Sequence, residues 1–366
     1  MYAFNILKEH RIRYIFTALG IALCTLLMLF LISIYQGVSY GSVEYVRSCN
    51  ADLWILQKHA TNILRSTSIL PASYEDDLNK IEGVKSASPV IFILAAVKLN
   101  NTNATLYLAG FDPVTGVGGP PEIIQGRNIR TDDEIVLDKA FAAKYNIKIG
   151  DKVPIREDSL KVTGISTGTN MFVIQYAFIS IDEAHKIIGF WNIVSCYQVH
   201  LMPGFRPEEV TSNIYSSLRK ISVLDKETFL KNNIQEMENG IVPLLFIITL
   251  ISGIVLTAIL SLILSISVME KRKDFAIIKA IGSPRGFISG IIIQLSILLS
   301  LTGLAFALML FFPMIALVEK ISPEVSARTS IAQLLVVSLA VILISLVSSI
   351  LPNQKIRKIY PLEVFK

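Results

Sequence analysis

Four stretches of this chain, residues 14–36, 243–268, 288–312 and 331–352, contain no Asp, Glu, Lys, Arg or His. They are 23, 26, 25 and 22 residues long. About 20 apolar residues in a helix rising ~1.5 Å each cross a hydrocarbon core of ~30 Å, where every backbone polar group has to be satisfied within the segment. The four runs are therefore expected to be membrane-spanning helices. The first exceeds the roughly 7–15-residue apolar region of a cleaved signal peptide, and no A-x-A-like site follows it, so it is expected to stay as an anchor. Composition agrees: 52% of residues are apolar and 17% charged, where ordinary soluble domains carry about 25% charge.

Charge gives the orientation. Segments 1–13, 269–287 and 353–366 together hold 12 basic and four acidic residues. The segment 37–242 holds 20 basic and 23 acidic residues, and the segment 313–330 is balanced. Short basic segments stay in the cytoplasm, so both termini and the loop 269–287 are expected inside, and 37–242 and 313–330 outside. The net charge of +5 is this bias and needs no nucleic-acid partner. The expected fold is an α-helical membrane protein with four transmembrane helices in a 1+3 order. A large α+β extracytoplasmic domain lies between helices 1 and 2.

Within that domain the first helix is expected to continue through 37–49 as a stalk. Strands are expected at 51–57, 90–99, 104–110, 135–137, 153–155, 160–165, 177–181, 197–202 and 222–224, separated by Asn, Gly, Asp and Pro turns. Ser73 is placed to cap a helix through Ile81, with acids in its first turn, and Ser180 to start another. Amphipathic patterning marks helices at 206–220 and 225–240, the second feeding the second span.

The chain carries no recognisable catalytic motif. The chain has no G-x-x-x-x-G-K-S/T phosphate loop, and Gly116-Val-Gly118-Gly119-Pro-Pro reads as a turn. His10, His59, His185 and His200 lack metal-ligand spacing, and Ser166 sits in no nucleophile elbow. Asp76/Asp77 and Asp132/Asp133/Glu134 read as solvated turns or helix starts. No catalytic or metal-binding residue is therefore expected in this chain. Cys24 lies in the first span, and Cys49 and Cys196, both external, are one possible disulfide. Ionisable side chains usually mark ion paths in membranes, and these spans have none. They carry small residues instead: Gly253, Thr257, Ser261 and Ser265 at four-residue spacing, with Gly303 and Ala307 repeating the device. Such stripes let helices approach closely, within one subunit or across a dimer seam.

The loop after the second span mixes charge and apolar residues at helical steps, and Gly282 followed by Ser-Pro suits its end. On pattern alone it is either an amphipathic helix resting on lipid headgroups or a docking helix for a cytoplasmic partner.

Here a resemblance enters. Residues 270–282, E-K-R-K-D-F-A-I-I-K-A-I-G, resemble the E-R-x-R-E-I-x-x-L-R/K-A-L/I-G signature of the MacB/FtsX-like permeases of ABC transporters. The opening Asn5-Ile-Leu-Lys, Arg11-Ile-Arg13 and Thr17-Ala-Leu-Gly-Ile21 and the tail Lys358-Ile-Tyr-Pro-Leu-Glu-Val364 resemble the family's two ends. The external run Gly126-Arg127, Glu134-Ile-Val-Leu-Asp138, Ile149-Gly-Asp151 and Val162-Thr-Gly-Ile165 is similar to its middle. The layout is closest to DevC-type or haem-exporting permeases without a fused ATPase.

The resemblance implies a multi-pass protein of the bacterial inner membrane that is not itself an enzyme. It would act as a homodimer or paired permease with two cytoplasmic ABC ATPase subunits, which bind the ATP and Mg. A periplasmic membrane-fusion adaptor and an outer-membrane channel are possible further partners. It also implies ATPase coupling through Glu270, Arg272, Lys273, Asp274, Phe275, Ile278, Lys279 and Gly282, with Phe275 and Ile278 filling a groove on the ATPase. Work would pass to the external domain by mechanotransmission and expel a lipophilic, membrane-associated or periplasmic compound. The alternatives are an FtsX-type transmitter that activates a cell-wall hydrolase and a lipoprotein-extraction subunit.

Overall fold

A computed structural model of the chain describes residues 11–63, 65–99, 102–169, 174–284, 286–323, 325 and 329–357. The expected opening at 5–10 and the tail from 358 lie outside them. The first helix, α1 (Arg11–Ser48), continues beyond its apolar run. It is followed by β1 (Leu53–Gln57), β2 (Leu70–Pro71), α2 (Tyr74–Asn79), β3 (Val84–Leu99) and β4 (Thr102–Phe111). Next come β5 (Glu122–Gly126), β6 (Glu134–Asp138), α3 (Lys139–Tyr145), β7 (Lys152–Ile155), β8 (Asp158–Thr167) and β9 (Gln175–Ser180). The domain closes with α4 (Ile181–Ile188), β10 (Ile193–Val194), β11 (Cys196–Leu201), α5 (Pro207–Ser217) and β12 (Ile221–Asp225). The chain then enters α6 (Lys226–Glu270), the short α7 (Arg272–Ala280), α8 (Phe287–Ile321), α9 (Ile331–Ser348) and α10 (Ile350–Arg357).

Two compact units result, one of residues 36–242 with 318–326 and one of 1–35, 243–317 and 327–366. The first is built on a ten-stranded sheet in the order β12-β1-β11-β3-β4-β9-β6-β8-β5, with β7 pairing on β8. β3 joins its halves: residues up to Val90 pair with β11, and Ile91 to Leu99 pair with β4. The pairs β4/β9 and β6/β8 are parallel. Alternate side chains of the central strands enter two different cores, as a period of two requires. Leu53, Leu108, Leu137 and Ile179 join the core that also holds Leu78, Phe141, Ala184 and Val210 from the short helices. Trp54, Ala109, Val136 and Phe178 enter an aromatic core with Tyr45 of α1 and Phe229 of α6. Burial on both faces explains why β6 and β9 read as continuous apolar runs.

Several local expectations are adjusted. Ser73 precedes α2 in a helical conformation and makes no side-chain cap, so the acids Glu75, Asp76 and Asp77 alone serve that end. Ser180 does cap α4, accepting from the Glu183 N–H at 3.0 Å. The helix expected at 206–220 is shorter because Pro207 sets its first turn and Leu218 is already extended. β5 and α3 are additional elements; α3 is started by Asp138, whose Oδ1 accepts from the Ala140 N–H at 2.7 Å. Cys49 and Cys196 are free thiols, and burial pushes both up, Cys49 to about 12.

Among the described residues four helices are long and apolar enough to cross a membrane, over Tyr14–Gly41, Val242–Glu270, Phe287–Ile321 and Ile331–Lys355, most of each lying in the second unit. α6 is continuous through Pro243. The interior of the unit is mainly aliphatic, built from Ile21, Met28, Leu256, Leu260, Leu264, Leu295, Leu299 and Val341, with Tyr14, Phe275 and Phe311 among them. Hydroxyls tie the helices where hydrophobic association gives little drive. Ser252 donates to the Cys24 carbonyl at 3.1 Å, Ser296 to the Ser345 carbonyl at 2.7 Å, and Tyr14 pairs with Ser267 at 3.1 Å. Gly303 admits α1: a Cβ there would lie 2.5 Å from Ile21 Cγ2. Of the small-residue stripe, Ser261 and Ser265 are buried within the chain, whereas Gly253, where a Cβ would lie 3.3 Å from Met28 Cε, and Thr257 are half-buried.

Candidate coupling site

The loop between α6 and α8 folds as α7. At Lys271 (φ −92°, ψ 17°) the backbone leaves helical geometry, which separates α6 from α7. At the other end Gly282 has φ +91°, and the chain closes with two bonds, Gly282 N–H to the Lys279 carbonyl and Ser283 N–H to the Ile278 carbonyl. These are the two bonds of a Schellman motif, whose left-handed residue favours glycine. Asp274 in the first turn meets Lys271 Nζ at 3.7 Å.

The helix has two apolar faces. Phe275 is 3% exposed and Ala276 fully buried, both in the aliphatic interior with Val268 and Ile288, and Ile278 packs against the same cluster. Ile277 and Ile281 are 43% and 82% exposed, and Arg272, Lys273 and Asp274 are exposed on the same short helix. Phe275 and Ile278, expected to fill a partner's groove, instead fasten α7 to its own unit. The outward apolar side chains are Ile277 and Ile281.

In the external domain the ends of α1 and α6 are locked together. The Trp54 indole stacks on Phe229 of α6 at 4.6 Å and meets Tyr45 of α1 edge-on at 6.4 Å. Tyr45 also stacks on Tyr176 at 4.8 Å and donates to the Gly118 carbonyl at 2.7 Å. Lys226, the first residue of α6, donates to the Cys49 carbonyl just past α1 at 2.6 Å. Ring pairs of this kind add about 0.5–1.5 kcal/mol each beyond the area they bury. Sequence reasoning did not single out this joint; its one signal was aromatic residues just outside the first two apolar runs.

The external motif residues build structure. Gly126 has φ +77°, and a Cβ there would lie 2.2 Å from the Thr163 carbonyl oxygen. Arg127 grips Glu134 with both guanidinium arms, one at 2.7 Å, and the Arg130 N–H reaches the same carboxylate at 2.8 Å. The Arg127 bond holds Glu134 below the usual carboxylate range. Asp151 turns back to accept from the Lys148 N–H at 2.8 Å, beside Gly150 at φ +96°. Among the described residues no group of three His, Cys, Asp or Glu side chains is placed to hold a metal ion.

Comparison with known proteins agrees with this architecture. Residues 14–215 match the MacB-like periplasmic core domain family, and residues 244–361 match the FtsX-like permease C-terminal family. The chain is 22% identical over 368 residues to a putative hemin transport system permease protein, HrtB, of Staphylococcus haemolyticus, covering 99% of this chain and 97% of the relative. It is 23% identical to an uncharacterized ABC transporter permease of Methanocaldococcus jannaschii, covering 100% and 96%. The periplasmic region of MacB from Actinobacillus actinomycetemcomitans is similar over 52% of this chain and 95% of that one, with 16% identity and a TM-score of 0.41.

Proposed function

Since the chain belongs to the MacB/FtsX-like family of ABC transporter permeases, we propose that it is the membrane subunit of an ATP-driven exporter. Its cargo is a lipophilic, membrane-associated or periplasmic compound. A separate ATPase chain, holding ATP and Mg, docks from the cytoplasm on α7, and two copies of the permease pair to receive two ATPases. The docking surface is Ile277 and Ile281, rimmed by Arg272, Lys273 and Asp274. Apolar anchors supply the energy of such a contact, and charges at the rim set its register.

The observation that carries the reading is the continuity of two helices. α1 and α6 each run unbroken from an apolar span into the aromatic joint around Trp54. A displacement of either span is then delivered to the external domain without a substrate tunnel through charge-free helices. The internal anchor at Phe275 supports this, because a docking helix fixed to its own unit transmits force instead of swinging. Work done on α7 reaches the external domain as mechanotransmission.

The docking surface is tested by Ile277→Asp combined with Ile281→Asp. We expect the ATPase chain to be lost from the purified complex, with coupled ATP turnover falling at least tenfold, while membrane insertion is unchanged. An ATPase that co-purifies at the normal ratio would sink the assignment.

A further inference from the structure

A cavity of about 240 Å³ lies in the external domain between the start of α2, β3, the loop after β4, α4 and β10. That is below the roughly 300–1,000 Å³ of sites for drug-sized ligands, so an occupant has to be small. Pro89, Ile181 and Val194 give the cavity apolar walls, and Glu75, Asp112 and His185 bring polar groups to it. Among the described residues its lining contains no Lys or Arg.

Each of these polar groups can still take a donor. His185 is 7% exposed, and its ring is fixed through Nε2, which lies 3.1 Å from the Ile193 carbonyl oxygen. A carbonyl only accepts, so Nε2 carries the proton, and Nδ1 of the neutral ring keeps a lone pair. That buried Nδ1 has no hydrogen-bond partner among the described residues. An acceptor buried without a donor is costly and calls for something that satisfies it. Glu75 is half-buried, and burial, Asp76 and Asp112 together push its carboxyl above the usual range. Its carboxylate meets no cation and makes no hydrogen bond among the described residues. Asp112 accepts from the Val114 N–H at 2.9 Å and from the Thr115 N–H at 3.2 Å, one on each oxygen. Each of those oxygens has a second lone pair to offer.

Two carboxylates and an imidazole lone pair, with no cation of the protein's own, match a positively charged donor. The three side chains are not placed to share a metal ion, whereas an ammonium group carries several N–H donors and spans wider contacts. We propose that this cavity binds small primary amines in their ammonium form. The charged head donates to Glu75, Asp112 and His185 Nδ1, and the carbon stem lies on the apolar wall. This binding does not depend on the exporter reading above.

The test uses the full chain in zwitterionic lipid nanodiscs, titrated calorimetrically with benzylamine against empty discs. Benzyl alcohol, of the same shape without the charge, is the control. Saturable benzylamine binding is expected, roughly tenfold tighter than that of the alcohol. Glu75→Gln should weaken it about tenfold, the loss of one charge-assisted contact. His185→Gln keeps a donor for the Ile193 carbonyl but removes the Nδ1 acceptor, and should weaken it about fivefold. Asp76→Asn, at an exposed position outside the lining, should change it by less than about twofold. Glu75→Gln should not lower the unfolding temperature, because the charge it removes has only acids around it. No saturable binding, an equally tight alcohol, or undiminished affinity in Glu75→Gln or His185→Gln each overturns the site. Equal weakening by Asp76→Asn and Glu75→Gln overturns it as well, since general surface attraction would then suffice. A lower unfolding temperature in Glu75→Gln would give the carboxylate a structural partner, and displacement of benzylamine by micromolar Zn2+ would make the site a metal site; either result also overturns the proposal.

Discussion

At the scale of single residues, two carboxylates a few positions apart respond to the fold in opposite ways. Glu134 is held below its ordinary range by Arg127, so its contribution to stability is present at neutral pH and fades as acid protonates it. Asp138 is buried, and burial pushes it up to about 6 from an ordinary 3.8, against the opposing pull of the Thr169 hydroxyl and the Ala140 N–H. Its charged form is the disfavoured one in the folded state. The stability tied to this group is therefore complete below about 3.8 and is lost as pH rises through about 6. The ceiling is about 3 kcal/mol, from ~1.4 kcal/mol per pKa unit. Asp138→Asn keeps an oxygen for the α3 cap, so thermal unfolding followed between pH 4 and 7 should lose this component of its pH dependence. An unchanged slope would show that Asp138 is ionised without penalty. Gly126 and Gly164 belong to the same corner: a Cβ on Gly164 would lie 2.4 Å from the Arg127 carbonyl oxygen. The family-like spacing of these residues is thus a backbone requirement.

At the scale of elements, α1 and α8 are held at a distance set by Gly303. A side chain there would meet both Ile21 and the Ala18 carbonyl oxygen, the latter at 3.1 Å from the Cβ alone. Gly303→Leu is expected to cost about 1–3 kcal/mol through overpacking, seen as a lower unfolding temperature in detergent. Gly290 in the same helix has open space around its Cβ position, so Gly290→Ala should be neutral or slightly stabilising. Equal effects of the two changes would remove the steric explanation. Legibility of elements followed how much of the answer was local. The spans announce themselves because a charge-free run of such length has few other uses, and β6 and β9 because both of their faces are buried. β5 was missed because E-I-I-Q-G follows two prolines and is mostly exposed, and α3 because its cap, Asp138, is also the last residue of a strand. In α7 both faces are apolar, so only packing could tell that Phe275 turns inward and Ile281 outward. The Trp54 joint was invisible for a related reason: Tyr45, Trp54 and Phe229 come from different elements, and nothing local links them.

At the scale of the whole chain, the proposed function depends on which side of the membrane each segment occupies. Single cysteines at Ser159 and Ser283 in a Cys-free background test this directly. Only the first should react with an impermeant thiol reagent in sealed cells, and the second should react after permeabilisation. Labelling of the Ser283 position in sealed cells would reverse the orientation and move α7 out of reach of any ATPase. The two helices that serve both units are not mechanically alike. α1 contains no proline, whereas α6 contains Pro243, the first residue it contributes to the second unit. A proline inside a helix removes one amide hydrogen, here the one that would reach the Asn239 carbonyl, and crowds the preceding turn. α6 is then a strut with a compliant point, and α1 the stiffer member of the pair. Pro243 is thus where α6 gives most readily, a soft point that α1 lacks.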